Sequence, residues 1–266
     1  MTFLPSFLRR RPNSQVTLAF LLIVLMSSNA YAITTVPVDV KCPICGTVNK
    51  FYDYASWGSY IYQWPSKFQL VFFPHTYGSS LYHCKHCHYS LWMWDFKEEV
   101  SEDRKKLILE TLKQVTTKKE YKSYTEMPMS ERLAIAESVY KITKKPDDLE
   151  FWSQFYRIVG YHSGAEGNTE QARSARTKAL QLTLAQMNDK ANEGKKKELL
   201  YVAACMQHYL GDDTNAAKSL ESAAKLTIPS TEKNSENMNS YLNEVIAQYV
   251  KGIKEGQIPK DGKVEE

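Results

Sequence analysis

The chain has 266 residues, with 34 Lys+Arg against 30 Asp+Glu and a formal charge of +4. A hydrophobic content of 43% and a charged content of 24% are those of a globular protein with a core, which excludes a disordered chain, a collagen-like chain and a polytopic membrane protein. A charge of +4 is too small to point to nucleic acid.

The first element is a targeting segment. Arg9, Arg10 and Arg11 precede an apolar run from Val16 to Met26, and Ala30-Tyr31-Ala32 follows as a small-x-small cleavage site. The run is about half of the roughly 20 residues that span a bilayer. The pattern predicts a signal peptide over 1–32, with an uncleaved N-terminal membrane anchor as the alternative. Its removal leaves 234 residues with 31 basic and 30 acidic side chains. The expected location is periplasmic or extracellular, with no membrane attachment after cleavage and no nucleic-acid partner.

Residues 33–97 form the second part. Half of all aromatic side chains fall between Phe51 and Phe96, and β-prone runs occur at Thr35–Val40 and Phe68–Phe73. Four of the five cysteines lie in two Cys-x-x-Cys pairs, Cys42-Pro43-Ile44-Cys45-Gly46 and Cys84-Lys85-His86-Cys87, with 38 residues between Cys45 and Cys84. Two thiolates at i and i+3 on a tight turn face one ion, and Gly46 supplies the positive φ that such a turn wants. The spacing predicts a zinc-ribbon-like antiparallel β module, with Cys42, Cys45, Cys84 and Cys87 as ligands of a structural zinc. His88 stands where the first turn has Gly46, so it too is expected at positive φ. His83, His86 and His88 read as solvent-facing turn residues.

Other chemistries fit parts of this pattern. Cys84-Lys85-His86-Cys87-His88 matches the c-type haem attachment motif, with Cys84 and Cys87 as anchors and His88 as proximal ligand. A dithiol redox couple and two structural disulfides are the remaining alternatives. The aromatic residues read as the core of the small sheet and its seam against the helices. A carbohydrate platform around Trp57, Tyr60, Tyr62 and Trp64 is the competing reading.

Residues 98–253 have helical periodicity. Leu107, Ile108, Leu112 and Val115 mark one helix. Leu133, Ile135, Ala136, Val139 and Tyr140 mark another, after Pro128 with Ser130 as N-cap. A third starts after Pro146, where Asp147 and Glu150 have capping-box spacing. A weak repeat then runs through Tyr156, Gly160, Gly167-Asn168, Ala172 and Ala179, and again through Leu200, Ala204, Gly211-Asp212, Ala216 and Ala223. Small residues at a helix crossing allow close approach, and glycine relieves strain at a helix end. The pattern resembles the tetratricopeptide repeat, with extra length in Met187–Lys197. In such an array Arg157, Tyr161, Tyr201 and His208 point into a groove that binds a protein or peptide partner. Cys205 reads as a small buried hydrophobe. Residues 254–266 are polar and expected to fray.

The fold class expected is α+β, mostly α. No phosphate loop, His-Glu-x-x-His or Gly-x-Ser-x-Gly pattern occurs, so the reading leans away from an enzyme. The expected function is an exported, zinc-stabilised scaffold or adaptor. A haem or dithiol electron-transfer protein and a cell-envelope enzyme are the other classes.

The chain resembles an uncharacterised bacterial family, a domain of unknown function that joins a Cys-Pro-x-Cys-Gly … Cys-x-x-Cys segment to tetratricopeptide-like helices. The matching pieces are Val40–Gly46, Cys84 and Cys87 followed by Tyr89-Ser90, Asp95-Phe96, Pro128–Ala134 and Phe151–Arg157, within roughly residues 36–226. The resemblance implies this fold and a metal site, and no activity. The departure is the second turn, where Lys85 and His88 stand in place of the family's Pro and Gly.

Overall fold

The structure, a computed structural model, describes residues 33–57, 66–117 and 119–259; the signal-peptide reading of 1–32 lies outside the described residues. Residues 33–35 and 54–57 belong to one unit, and residues 36–53 with the described residues from 66 onward to a second, which carries the four cysteines and the helices. No helix among the described residues is long and apolar enough to cross a membrane.

The β part is two small two-stranded sheets. Strands β1 (Thr34–Lys41) and β2 (Val48–Ser56) pair in one. Strands β3 (Leu81–His83) and β4 (Ser90–Trp92) pair antiparallel in the other, with Leu81 opposite Trp92 and His83 opposite Ser90. Sheets this short bury little area by themselves, and aromatic rings make up the difference. Phe51 stacks on Tyr82 at 4.1 Å and meets Phe96 and Tyr124 edge-on at 5.1 and 5.0 Å. All four rings are buried, as the core reading of the aromatics required.

The β-prone run Phe68–Phe73 is not a strand. Ser66–Gln69 forms a single helical turn, α1, and the chain continues through irregular turns to a 3-10 turn at Gly78–Ser80. Period and propensity suggested a ladder. The carbonyls here instead accept from side chains of helices far away in sequence, so no strand partner is needed.

Helices α2 (Met93–Phe96), α3 (Glu102–Leu112) and α4 (Met129–Thr143) follow. Helix α4 packs on β3, β4 and α3. It buries Leu133, Ala136, Val139 and Tyr140 at the predicted helical spacing. Ser130 is not its N-cap. The helix begins at Met129, and the Glu166 carboxylate accepts from the backbone N–H of Met129 at 2.7 Å, from that of Ser130 and from the Ser130 hydroxyl. An anion brought from another helix thus serves the free N–H groups.

Two helical hairpins come next: α5 (Leu149–Ala165) with α6 (Thr169–Met187), and α7 (Lys196–Tyr209) with α8 (Asp213–Ala224). The N-cap of α5 is Asp148, which accepts from Phe151 N–H at 3.0 Å, one residue beyond the Asp147 expected. The two hairpin turns are alike. Gly167 and Gly211 take φ of +75° and +91°. Asn168 N–H donates to Ser163 O and Asp212 N–H to Gln207 O, both at 2.8 Å, closing the preceding helix. Asn168 and Asp212 then cap the following helix through Gln171 N–H and Asn215 N–H. Ala172, Ala179, Ala204, Ala216 and Ala223 are all fully enclosed. Gly160 lies against Arg176, where an added Cβ would sit 2.8 Å from Cγ. The extra length before α7 is a 3-10 stretch, Lys190–Lys195.

Helix α9 (Ser235–Lys254) packs on α8 and α7. The chain beyond it turns back rather than trailing away: Gln257 N–H donates to Gly252 O, and Ile258 covers Gly252. Residues 260–266 lie outside the described residues. The architecture is α+β and mostly α.

Candidate metal centre

Two turns with the same hydrogen bonding bring the four cysteines together. In the first, Cys42 N–H donates to Thr47 O and Gly46 N–H to Cys42 O, each at 2.9 Å. In the second, Cys84 N–H donates to Tyr89 O and His88 N–H to Cys84 O, each at 2.8 Å. Gly46 has φ +77° and His88 φ +63°, so position 88 takes the left-handed conformation that its alignment with Gly46 demanded. The first turn joins β1 to β2 and the second joins β3 to β4.

The sulfurs of Cys42, Cys45, Cys84 and Cys87 all lie within 4.8 Å of one another. Cys42 Sγ is 3.7 Å from Cys87 Sγ, and Cys45 Sγ is 3.6 Å from Cys84 Sγ. A tetrahedral ion with metal–sulfur bonds of about 2.3 Å sets its ligands about 3.8 Å apart. The cage therefore has the size of a four-thiolate metal site, and all four thiols are free of disulfides. Cys42 and Cys84 are buried, and Cys45 and Cys87 are half-buried.

The electrostatics point the same way. Hydrogen bonds from Cys42 and Cys87 hold the Cys84 thiol far below its ordinary pKa. Cys42 gives up its own acidity in return and is pushed up to about 12, chiefly by its bond to Cys84; the Cys87 thiol is likewise pushed up. Four thiols crowded this closely ionise together only with a cation to offset the charge.

Asn49 joins the two turns, and no motif in the sequence singled it out. Its side-chain N–H groups donate to Thr47 O at 3.0 Å and to Cys84 Sγ at 3.5 Å, and its Oδ1 accepts from Lys85 N–H at 3.3 Å. Outer contacts of this type orient metal ligands. Of the three histidines, His86 is exposed and His88 half-buried. His83 is not solvent-facing: it is buried, its Nδ1 is 2.7 Å from Ser90 Oγ, and burial holds its pKa down to about 3. The reason is its place on β3, whose three residues are all enclosed.

The residues of the haem motif are placed as follows. The Cys84 and Cys87 sulfurs turn toward Cys45 and Cys42, and His88 Nδ1 faces His83 Nε2 at 3.5 Å.

The four groove residues are placed as follows. Arg157 Nη1 donates to Gln69 O and Leu70 O at 3.2 and 3.3 Å. The Tyr201 hydroxyl donates to Lys67 O at 3.3 Å. His208 is buried, with Nδ1 2.6 Å from Asp213 Oδ1 and its ring 5.5 Å from that of Phe68. Tyr161 is half-buried and packs edge-on against His162. Three of the four thus engage the chain's own residues 67–70. Cys205 is fully buried, and burial pushes its thiol pKa well up. Of the sugar-platform residues, Trp57 is exposed, and 58–65 lie outside the described residues.

Comparison with known proteins finds no matching family model, no matching curated protein and no matching solved structure. What is shown is a helical α+β protein with a four-cysteine cluster able to hold a metal ion.

Proposed function

We propose that this chain is an exported, zinc-stabilised scaffold that binds a protein or peptide partner through its helical hairpins. The observation that supports the metal is the cage itself, with sulfur pairs 3.6 and 3.7 Å apart across two matching turns. Zinc is the ion this reading assigns, because four thiolates in a tetrahedron suit it and complete its shell. A complete shell leaves no position for water or substrate, so the ion's role is structural.

Its structural work is specific to this chain. The ion ties together the two ends of a 38-residue insert, Gly46–His83. Loop closure of that length is a substantial constraint on the unfolded chain. The insert then delivers residues 66–81 to helices α4, α5 and α7.

Export rests on the N-terminal sequence pattern, and secreted protein is expected to begin at Ile33. The metal is tested by elemental analysis of protein purified under reducing conditions. One zinc per chain supports the reading. A Soret band with no zinc would transfer Cys84, Cys87 and His88 to haem.

A further inference from the structure

The two cysteine turns share one backbone pattern and differ in their side chains. Where the first has Pro43, Ile44 and Gly46, the second has Lys85, His86 and His88. Glycine takes φ +77° at position 46 without strain, whereas His88 at φ +63° carries a Cβ into the left-handed region. A side chain kept at a strained position that glycine fills in the matching turn points to a use for that side chain. The cysteine cage is not that use, because the four-sulfur group takes in neither His83 nor His88.

His88 faces His83. Its Nδ1 is 3.5 Å from His83 Nε2, with the ring centroids 5.4 Å apart and the planes tilted by 39°. A direct N–H···N hydrogen bond is shorter, about 3 Å. Two imidazole nitrogens each about 2.0–2.1 Å from one ion stand about 3.3–3.5 Å apart when the angle at the ion is near tetrahedral. The pair therefore has the spacing of two ligands on one ion.

The hydrogen bonds behind the pair fix a proton. Ser90 Oγ is 2.7 Å from His83 Nδ1, and its one proton goes to His88 O at 3.0 Å. The hydroxyl oxygen is then the acceptor for His83 Nδ1–H, which leaves the lone pair on Nε2, toward His88. Ser90 stands opposite His83 in the β3–β4 ladder, so the sheet itself holds the ring in this tautomer. A ring whose far N–H is held by an outer partner while its other nitrogen is bare is the usual state of a metal-ligating histidine.

Both histidines line a cavity of about 420 Å³, whose wall also includes Lys85, Lys119, Glu120 and Tyr121. Among the described residues, no further cysteine, histidine or carboxylate joins the two histidines as a third ligand. The other positions on an ion held here therefore open to the cavity, for water or a small anion, and the two lysines favour the anion.

We propose that His83 and His88 hold a second divalent ion, of the borderline kind that suits imidazole and a tetrahedral shell, in an open site separate from the four-cysteine cage. Two imidazoles hold an ion far more weakly than four thiolates do. The site fills from added metal and empties under a mild chelator that leaves the cage loaded.

The test uses the full chain, treated with a mild chelator and carrying its cage zinc, with cobalt(II) as the probe. The unaltered protein is expected to take up one cobalt per chain, with weak d–d absorption, no sulfur-to-metal charge-transfer band and no release of zinc. His88→Gly gives the second turn the glycine of the first, so it is expected to fold and keep its zinc while cobalt binding weakens at least tenfold. His83→Gln should weaken it as much, and His86→Ala, at an exposed position of the same turn, should leave it unchanged. Cobalt binding that survives His88→Gly would overturn the proposal. So would no uptake by unaltered protein that holds its zinc, or a charge-transfer band placing cobalt in the cage. Cobalt bound at the histidines of a protein whose cysteines are oxidised and hold no zinc would support this site while the four-thiolate reading fails.

Discussion

The Asn49 side-chain amide donates to the Cys84 sulfur across 3.5 Å and thereby ties the turn after β1 to the turn after β3. A hydrogen-bond donor to a metal-ligating sulfur stabilises its thiolate form. Asn49→Ala removes this donor and both backbone contacts that keep the turns in register. We expect metal affinity to fall roughly 10- to 100-fold, as for other outer-shell partners. Competition with a chromogenic chelator measures it, and an unchanged affinity would show that Asn49 only fills space.

Glu166 and Ser130 separate two accounts of how α4 starts. Glu166→Gln should destabilise the protein by about 0.5–2 kcal/mol, the range for a lost cap or helix-end charge. Ser130→Ala should cost less, because Glu166 still accepts from the backbone N–H of Met129 and Ser130. Denaturant midpoints compare the two. The reverse order would restore Ser130 as the cap.

Gly160, Gly167 and Gly211 each disfavour alanine, for different reasons. An alanine at 160 meets Arg176 Cγ at 2.8 Å, and Arg176 is itself buried over the Tyr209 ring. Overpacking there should cost about 1–3 kcal/mol. Alanine at 167 or 211 meets nothing within 4 Å, so its cost of about 1–2 kcal/mol is that of the left-handed backbone alone. Asparagine, which tolerates that conformation, should recover part of the loss at 167 and 211 and none at 160.

Acid should loosen the insert. Burial pushes the pKa of His75 and of His162 down to about 4, from 6.5 in the unfolded chain. Between those values the unfolded chain binds the protons and the folded one does not. Stability from these two groups is therefore fully present above about pH 6.5 and falls as pH drops toward 4, by up to about 1.4 kcal/mol per unit for each. His162→Gln should flatten part of this slope in urea titrations between pH 7 and 4.5. An identical slope in the variant would remove His162 from the account.

The elements that were legible in the sequence are those whose causes are local. Gly167-Asn168 and Gly211-Asp212 close and open helices within a few residues of themselves, and the enclosed alanines keep their spacing. The two cysteine turns are local too, and the φ of His88 followed from alignment with Gly46. What was not legible depends on distant partners. Phe68–Phe73 has strand composition, yet its carbonyls meet Arg157, 87 and 88 residues away. Asn49 has no motif around it and acts on Cys84, 35 residues on. Glu166 caps a helix that begins 37 residues earlier.

X-ray absorption at the zinc edge of the purified full-length chain tests the four-cysteine centre most directly. The account predicts four sulfur neighbours at about 2.3 Å and no nitrogen or oxygen. A shell containing nitrogen would bring one of His83, His86 or His88 into the site, and protein that carries no zinc and whose four thiols are oxidised to disulfides would contradict the centre altogether.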